Sequence, residues 1–149
     1  MKQKVLRIIR DGRPLEEKVK TGFINVEPAI TSQKFTAAIP DASPLHDEAV
    51  LVNFGAYLFS EAVIGSLEQL NLRAGLPTEL VDVSTSNANS KDLGASLPLI
   101  ALGDSWEGPL GNLLVVFLVG DARDRGLSLH WRGGGWNEDY WFLAFRART

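Results

Sequence analysis

Residues 113–119 (LLVVFLV) form the longest apolar run of the chain, and this run constrains the fold more than any other feature. It is too short to cross a bilayer as a helix, which takes about 20 residues. A strand with no polar member must be covered on both faces, so the run predicts a strand in the middle of a sheet. The mixed run over residues 1–7 lacks the apolar core of a secretory signal. We therefore expect a soluble protein, by default of the cytoplasm.

Strand patterns on both sides of this run predict an antiparallel sheet near the C-terminal end of the chain. Leu127, Leu129 and Trp131 alternate with polar residues, as in a strand that buries one face. Gly-rich or charged segments separate the strand candidates, which is typical of turns between neighbouring strands. We expect about four strands in this sheet, at residues 97–102, 113–119, 127–132 and 139–146.

The middle of the chain predicts one main amphipathic helix. Apolar residues recur at nearly helical spacing over residues 56–73, and Gly75 and Pro77 are typical of the point where a helix ends. Residues 84–96 (STSNANSKDLGAS) have little apolar surface to bury, so they predict a loop. A loop of this length is either a functional lid or a disordered insertion.

A β-ribbon is expected ahead of the helix. Residues 5–10 are rich in β-branched side chains, Asp11 and Gly12 suit a tight turn, and residues 13–20 form the return arm. Together these patterns predict an α+β fold in one globular domain over residues 1–149. Its elements are the N-terminal ribbon, the main helix and a C-terminal antiparallel sheet that packs on the helix.

Composition excludes several classes of site. The chain has no cysteine, which removes disulfides, thiol catalysis and cysteine-ligated metals. Its two histidines, His46 and His130, are too few for a His-rich metal centre. Its clustered acids do not follow the spacing of a calcium loop. We therefore expect neither a metal nor a cofactor.

The N-terminal ribbon is basic, although the whole chain has a net charge of -3. The bases in question are Lys2, Lys4, Arg7, Arg10 and Arg13. They could contact nucleic acid, or they could complement the acidic remainder of the chain. The second interpretation is favoured, because Asp11, Glu16 and Glu17 interrupt the bases and the overall negative charge repels phosphate.

One short motif is similar to part of a known catalytic site. Gly103-Asp104-Ser105 follows an apolar strand candidate, and it resembles the nucleophile block of the GDSL or SGNH hydrolases, in which a serine attacks an ester. The resemblance implies an esterase-like hydrolase with Ser105 as the nucleophile. Such a serine needs a base, for which His130 is the candidate, with Asp104 or Asp124 to orient the imidazole. The chain departs from the family pattern, because the short segment after Ser105 predicts antiparallel strands instead of further βα units.

Aromatic side chains are concentrated near the C-terminal end. On a strand over residues 139–146 they fall on both faces, which indicates either a doubly buried strand or a platform that stacks a ligand. Trp136 follows three glycines, and we expect it to lie outside the core. The residues predicted to form a polar-rimmed aromatic binding site are Trp136, Arg132, His130, Glu138 and Tyr140.

These observations favour a non-enzymatic binding or assembly module. We expect it to form homo-oligomers through an aromatic-rich sheet surface, and to bind a small molecule or another protein. One alternative is the hydrolase that uses Ser105 and His130. The second alternative is nucleic-acid binding through the basic ribbon.

Overall fold

A mixed sheet of eight strands organises residues 1–148, the part of the chain that the computed structural model describes. The strands are β1 (Lys2–Ile9), β2 (Asn25–Val26), β3 (His46–Asn53), β4 (Leu72–Ala74), β5 (Leu99–Glu107), β6 (Leu113–Gly120), β7 (Arg125–Trp131) and β8 (Trp141–Arg146). The helices are α1 (Leu15–Lys18), α2 (Ser60–Gln69), α3 (Pro77–Ser86) and α4 (Lys91–Gly94). Over the described residues, no helix is long and apolar enough to cross a membrane.

The strand order in the sheet is β1-β3-β8-β5-β6-β7-β2, and β4 also pairs with β8. β8 runs parallel to β5, and β2 runs parallel to β7, whereas the other neighbours are antiparallel. The C-terminal strand β8 is therefore central, between β3 on one side and both β4 and β5 on the other. This position explains why five of its six residues are buried.

Helices cover both faces of the sheet. On one face, α1, α3 and α4 contribute to a core that contains Val116 and Leu118 of β6. On the other face, α2 and Trp136 contribute to a second core that contains Val115 of β6. Because β6 has paired neighbours on both edges and buried side chains on both faces, the prediction of a central strand at residues 113–119 is confirmed.

The predicted main helix is wrong in length, because α2 ends well before residue 73. Asn71 adopts a left-handed conformation with φ 59°, which stops the helix. Leu72 and Ala74 then pair with β8 as the strand β4. Pro77 begins a helix instead of following one, since its missing N–H has no helical partner at the first turn.

The loop predicted over residues 84–96 is also wrong, because α3 extends through Ser86 and α4 occupies Lys91–Gly94. Polar residues of this segment have partners, since Ser84 is 3% exposed and Ser90 accepts from the N–H of Leu93 at the start of α4, and the polar face of α3 just before them is buried as well. Asp82 is only 2% exposed, and one of its carboxylate oxygens lies 2.7 Å from the ammonium of Lys18. Burial raises the pKa of Asp82, while the hydrogen bond from Lys18 opposes that rise. A helix whose buried face contains such paired polar residues shows no apolar stripe in its sequence.

The predicted N-terminal ribbon does not form. β1 pairs with β3, with Val5 opposite Val50, and residues 15–18 form the short helix α1. Lys18 draws this segment towards the core, where its ammonium also donates to the carbonyl oxygens of Asp11 and Thr78. The architecture expected from the sequence is therefore wrong. The α+β fold has a large mixed sheet and four short helices, not one main helix on about four antiparallel strands.

Candidate functional site

The Gly103-Asp104-Ser105 motif lies in a wide bulge of β5. Pairing with β6 stops at Ala101 and resumes at Trp106, so the motif has no regular partners across the strand. The carboxylate of Asp104 accepts hydrogen bonds from the N–H of Ser105 at 2.8 Å and from the N–H of Ala37 at 3.0 Å. Asp104 thus attaches the segment around Ala37 to the bulge.

His130, on β7, contacts two aromatic rings from other segments. Its ring centroid is 4.6 Å from that of Trp136 and 5.7 Å from that of Phe117. Its Nδ1 lies 3.0 Å from the carbonyl oxygen of Trp131. Strand β6 separates β5 from β7, and within residues 1–148 no hydrogen bond joins Ser105 to His130.

Asp124 is also far from His130. It precedes the first residue of β7, and the six residues from there to His130 span about 20 Å of strand at roughly 3.3 Å per residue. The carbonyl oxygen of Asp124 closes the β6–β7 turn by accepting from the N–H of Asp121 at 3.0 Å. The structure therefore does not bring Ser105, His130 and an orienting carboxylate together.

Trp136 is fully buried, so the prediction that it lies outside the core is wrong. Its backbone pairs with Leu58 in both directions, and its indole N–H donates to Ser60 Oγ at 2.9 Å. Ser60 in turn donates to the carbonyl oxygen of Arg132 at 2.7 Å. These bonds bind the segment before α2 to the glycine turn 133–135 and carry the indole into the core.

Replacing Trp136 with phenylalanine is expected to destabilise the fold by about 2 kcal/mol. The smaller ring leaves a cavity and removes the hydrogen bond to Ser60. Urea unfolding followed by circular dichroism measures the change. The exposed Trp131 offers a matched control, because Trp131→Phe should change the free energy of unfolding by less than about 0.5 kcal/mol. Equal effects of the two changes would contradict the buried hydrogen bond.

The other residues predicted to bind a ligand are only partly together. Tyr140 is half-buried and packs on Trp136, with the ring centroids 6.0 Å apart. Arg132 forms an ion pair with Glu61 at 2.6 Å, and this hydrogen bond lowers the pKa of Glu61. Glu138 is exposed, and its carbonyl oxygen accepts from the side chain of Asn53. Ligand binding by this set stays a prediction, and the buried Trp136 offers it no surface.

Two of the five N-terminal bases, Arg10 and Arg13, form ion pairs with acids of the same chain. Arg10 is buried against Asp47 and Glu79. Arg13 binds Asp11, and this hydrogen bond lowers the pKa of that carboxyl to about 2. These ion pairs agree with the interpretation that the bases complement acids of the same chain.

A cluster of exposed apolar side chains lies at the β5–β6 turn. Leu110 is 92% exposed, Trp131 is 53% exposed and Leu113 is 42% exposed. The three line a groove of about 410 Å³ together with the Glu61–Arg132 ion pair. Single exposed apolar residues are ordinary, whereas a contiguous group of them is a candidate interaction surface.

Two more exposed aromatic residues stand beside the glycine turn 133–135. Tyr57 and Phe59 contact each other edge to face, with ring centroids 5.7 Å apart, and both are more than half exposed. The ring of Tyr57 lies so close to Gly135 that a side chain there would overlap it, and the ring of Trp131 lies against Gly133 in the same way. The glycine turn thus contacts both aromatic groups, with Tyr57 at Gly135 and Trp131 at Gly133.

We name this surface the apolar end surface. Its members are Leu110, Leu113, Trp131, Tyr57 and Phe59. The sequence pattern does not reveal it, because Leu113 belongs to the apolar run that predicts a buried strand, and Tyr57 and Phe59 fall within the predicted helix. The one available signal is Leu110, a large apolar residue in a Pro-Leu-Gly turn where nothing can bury it.

The described residues contain no group of three or more His, Asp or Glu side chains that could hold a metal ion. The apolar end surface offers packing area and the Glu61–Arg132 ion pair. Comparison of the chain with models of protein families, with curated proteins and with solved structures finds no match.

Proposed function

We propose that this protein is a non-enzymatic assembly module whose copies associate through the apolar end surface. The observation that carries the proposal is the exposure of Leu110 and Trp131 on one groove. Tryptophan and tyrosine contribute most often to the binding energy of protein interfaces. Burial of this surface against a partner removes apolar area from water, which stabilises the complex by about 25 cal/mol per Å² before the costs of association.

The charges beside this surface favour a second copy as the partner. Glu61 and Arg132 form an ion pair next to the groove, so the rim contains both signs of charge. In a dimer with twofold symmetry the same patch occurs on both subunits, and Arg132 of one subunit can face Glu61 of the other. A rim with one sign of charge would instead repel its own copy.

Leu110→Asp is expected to weaken self-association at least tenfold. A carboxylate in the middle of the interface loses hydration without a partner, and about 1.4 kcal/mol is a factor of ten in Kd. The side chain of Leu110 is nearly free of contacts in the subunit, so the fold is unaffected. Sedimentation velocity over a concentration series of wild type and variant measures the effect.

Ile24→Asp is the matched control, since Ile24 is 71% exposed and lies outside the apolar end surface. It should leave the concentration dependence of sedimentation unchanged. A wild-type protein that stays monomeric at all concentrations would contradict the proposal. So would a Leu110→Asp variant that associates as strongly as the wild type.

A further inference from the structure

Strand β1 is an edge of the sheet, because it pairs only with β3. The N–H of Arg10, just after β1, donates to the carbonyl oxygen of Leu45 at 2.9 Å. Residues of an antiparallel ladder face the partner strand alternately. The backbone N–H and C=O groups of Ile8, Leu6 and Lys4 therefore point towards β3. Those of the odd-numbered residues point away from the sheet.

The end of α3 covers only part of this outer edge. Ser86 Oγ accepts from the N–H of Ile9 at 3.0 Å, and the side-chain amide of Asn87 donates to the carbonyl oxygen of Arg7 at 3.0 Å. Within residues 1–148, the backbone N–H groups of Gln3, Val5 and Arg7 have no partner, nor do the carbonyl oxygens of Gln3 and Val5. These groups have the spacing that another strand needs for pairing.

The side chains of β1 differ between the two faces of the sheet. Val5 and Ile9 are 48% and 56% exposed on one face. Lys2 and Lys4 lie on the opposite face, where the ammonium of Lys4 lies 5.0 Å from the ring centroid of Trp141 and donates one hydrogen bond to the carbonyl oxygen of Asp92 at 3.0 Å. Arg7 lies between Val5 and Ile9 on the first face, so the strand has three bases and no acid.

Open space continues the edge at the C-terminal end of β1. A cleft of about 650 Å³ extends from Ser86 to Arg7, Ile9 and His46. Asp47 and Glu48 also line it, but the carboxylate of Asp47 is bound by Arg10 and Arg148. An added strand could run along Gln3 and Val5 as far as Arg7, where Ser86 and Asn87 close the edge.

We propose that the outer edge of β1 binds an extended acidic segment of another protein as an additional strand. This inference goes beyond assembly through the apolar end surface and concerns a different part of the molecule. Acidic side chains of the segment meet Lys2 and Lys4, and apolar side chains on its other face pack on Val5 and Ile9. A second copy is a poorer occupant, because two β1 strands would place six bases side by side.

The test titrates the full chain into a fluorescein-labelled hexapeptide of alternating glutamate and valine, with fluorescence anisotropy as the readout. We expect saturable binding that weakens as salt is raised, because exposed charges are screened. A hexapeptide of alternating lysine and valine should bind at least tenfold more weakly. Leu110→Asp should leave the peptide affinity unchanged, which separates this site from the proposed assembly surface.

Val5→Pro removes one outward N–H without removing a bond to β3, since proline is tolerated at the edge of a sheet. It should lower the peptide affinity at least tenfold, whereas Val5→Thr, which keeps the N–H, should leave it within about twofold of wild type. Two modified peptides test the same ladder on the unchanged protein. One peptide has N-methyl groups on its three valines, and the other has them on its three glutamates. Alternate residues of a strand direct their N–H groups to opposite edges, so only one of the two peptides should still bind.

Three results would overturn the proposal. The first is no saturable binding of the acidic peptide, and the second is equal binding of the acidic and basic peptides. The third is equal binding of the two methylated peptides, which would indicate attraction between charges without a ladder. If Val5→Pro instead weakens self-association in sedimentation and peptide binding is absent, the occupant of the edge is a second copy and the proposal is wrong.

Discussion

Arg125→Met is expected to destabilise the fold by about 4 kcal/mol or more, the largest effect that we predict for a single substitution. Arg125 is 3% exposed, and no carboxylate contacts its guanidinium in the described residues. The guanidinium instead donates to backbone carbonyl oxygens. The carbonyls within 3.2 Å belong to Ser84, Asn87, Ala122 and Asp121. Urea unfolding of the variant and the wild type measures the loss.

These carbonyl oxygens explain the size of the effect. Ser84 and Asn87 lie at the C-terminal end of α3, where helical carbonyls have no partner within the helix and the helix dipole is negative. Burial lowers the pKa of Arg125, while the charge of Asp121 opposes that change. Methionine fills much of the same volume but donates nothing, so several buried acceptors would lose their hydrogen bonds.

Arg123→Met is the matched control, because Arg123 is exposed in the same β6–β7 turn. It should change the free energy of unfolding by less than about 0.5 kcal/mol. The loss of unfolding free energy in Arg125→Lys should lie between the losses in these two variants, since an ammonium cannot reach all the carbonyls that the guanidinium reaches. Similar stability of Arg125→Met and Arg123→Met would show that the carbonyls find other partners, and the interpretation would be wrong.

The same residues show why part of the fold could not be predicted from the sequence. α3 buries Glu79, Asp82 and Ser84, whose partners come from distant segments. In a hydropathy pattern such residues count as polar, and a run of polar residues predicts a loop. β6 was predictable because a strand covered on both faces is the structure that buries every residue of so short an apolar run.

Strand pairing was the other unpredictable element. β1 and β3 are separated by more than 30 residues, and a local turn signal at Asp11 and Gly12 competes with that distant pairing in the sequence. The pairing is decided by burial, because β3 lies between β1 and the fully covered β8. The position of Trp136 was unpredictable for the same reason. Trp136 has the local sequence of an exposed turn, and its pairing with Leu58 takes it into the core.

A buried ionic network gives the second large prediction, which concerns acid stability. The carboxylate of Glu79 is fully buried and accepts two hydrogen bonds from Arg73, one from Arg10 and one from the N–H of Leu76. The two guanidiniums lie 4.8 and 5.0 Å from the ring centroid of Phe145. Removal of this carboxylate would leave Arg73 without its counter-ion and Arg10 with Asp47 alone.

The direction of the pH dependence follows from the pKa of Glu79. Burial alone would raise this pKa, but the hydrogen bonds from Arg73, Leu76 and Arg10 hold it below the ordinary value of 4.5. A carboxyl whose pKa is lowered by folding stabilises the folded state at pH above its unfolded pKa. That contribution is lost as the pH falls through the lower, folded pKa. Asp47, held by Arg10 and Arg148, acts in the same direction.

Glu79→Gln is therefore expected to cost about 3 kcal/mol at pH 7, because a buried ion pair loses one partner. The difference in unfolding free energy from wild type should shrink as the pH falls below the ordinary glutamate pKa of about 4.3, because the unfolded chain takes up a proton there before the folded carboxyl does. Urea unfolding at a series of pH values from 7 to 2.5 measures both quantities. Glu68→Gln on the exposed face of α2 should differ from wild type by less than about 0.5 kcal/mol at every pH. If Glu79→Gln instead keeps the pH dependence of the wild type, Glu79 is not the group whose protonation weakens the fold in acid.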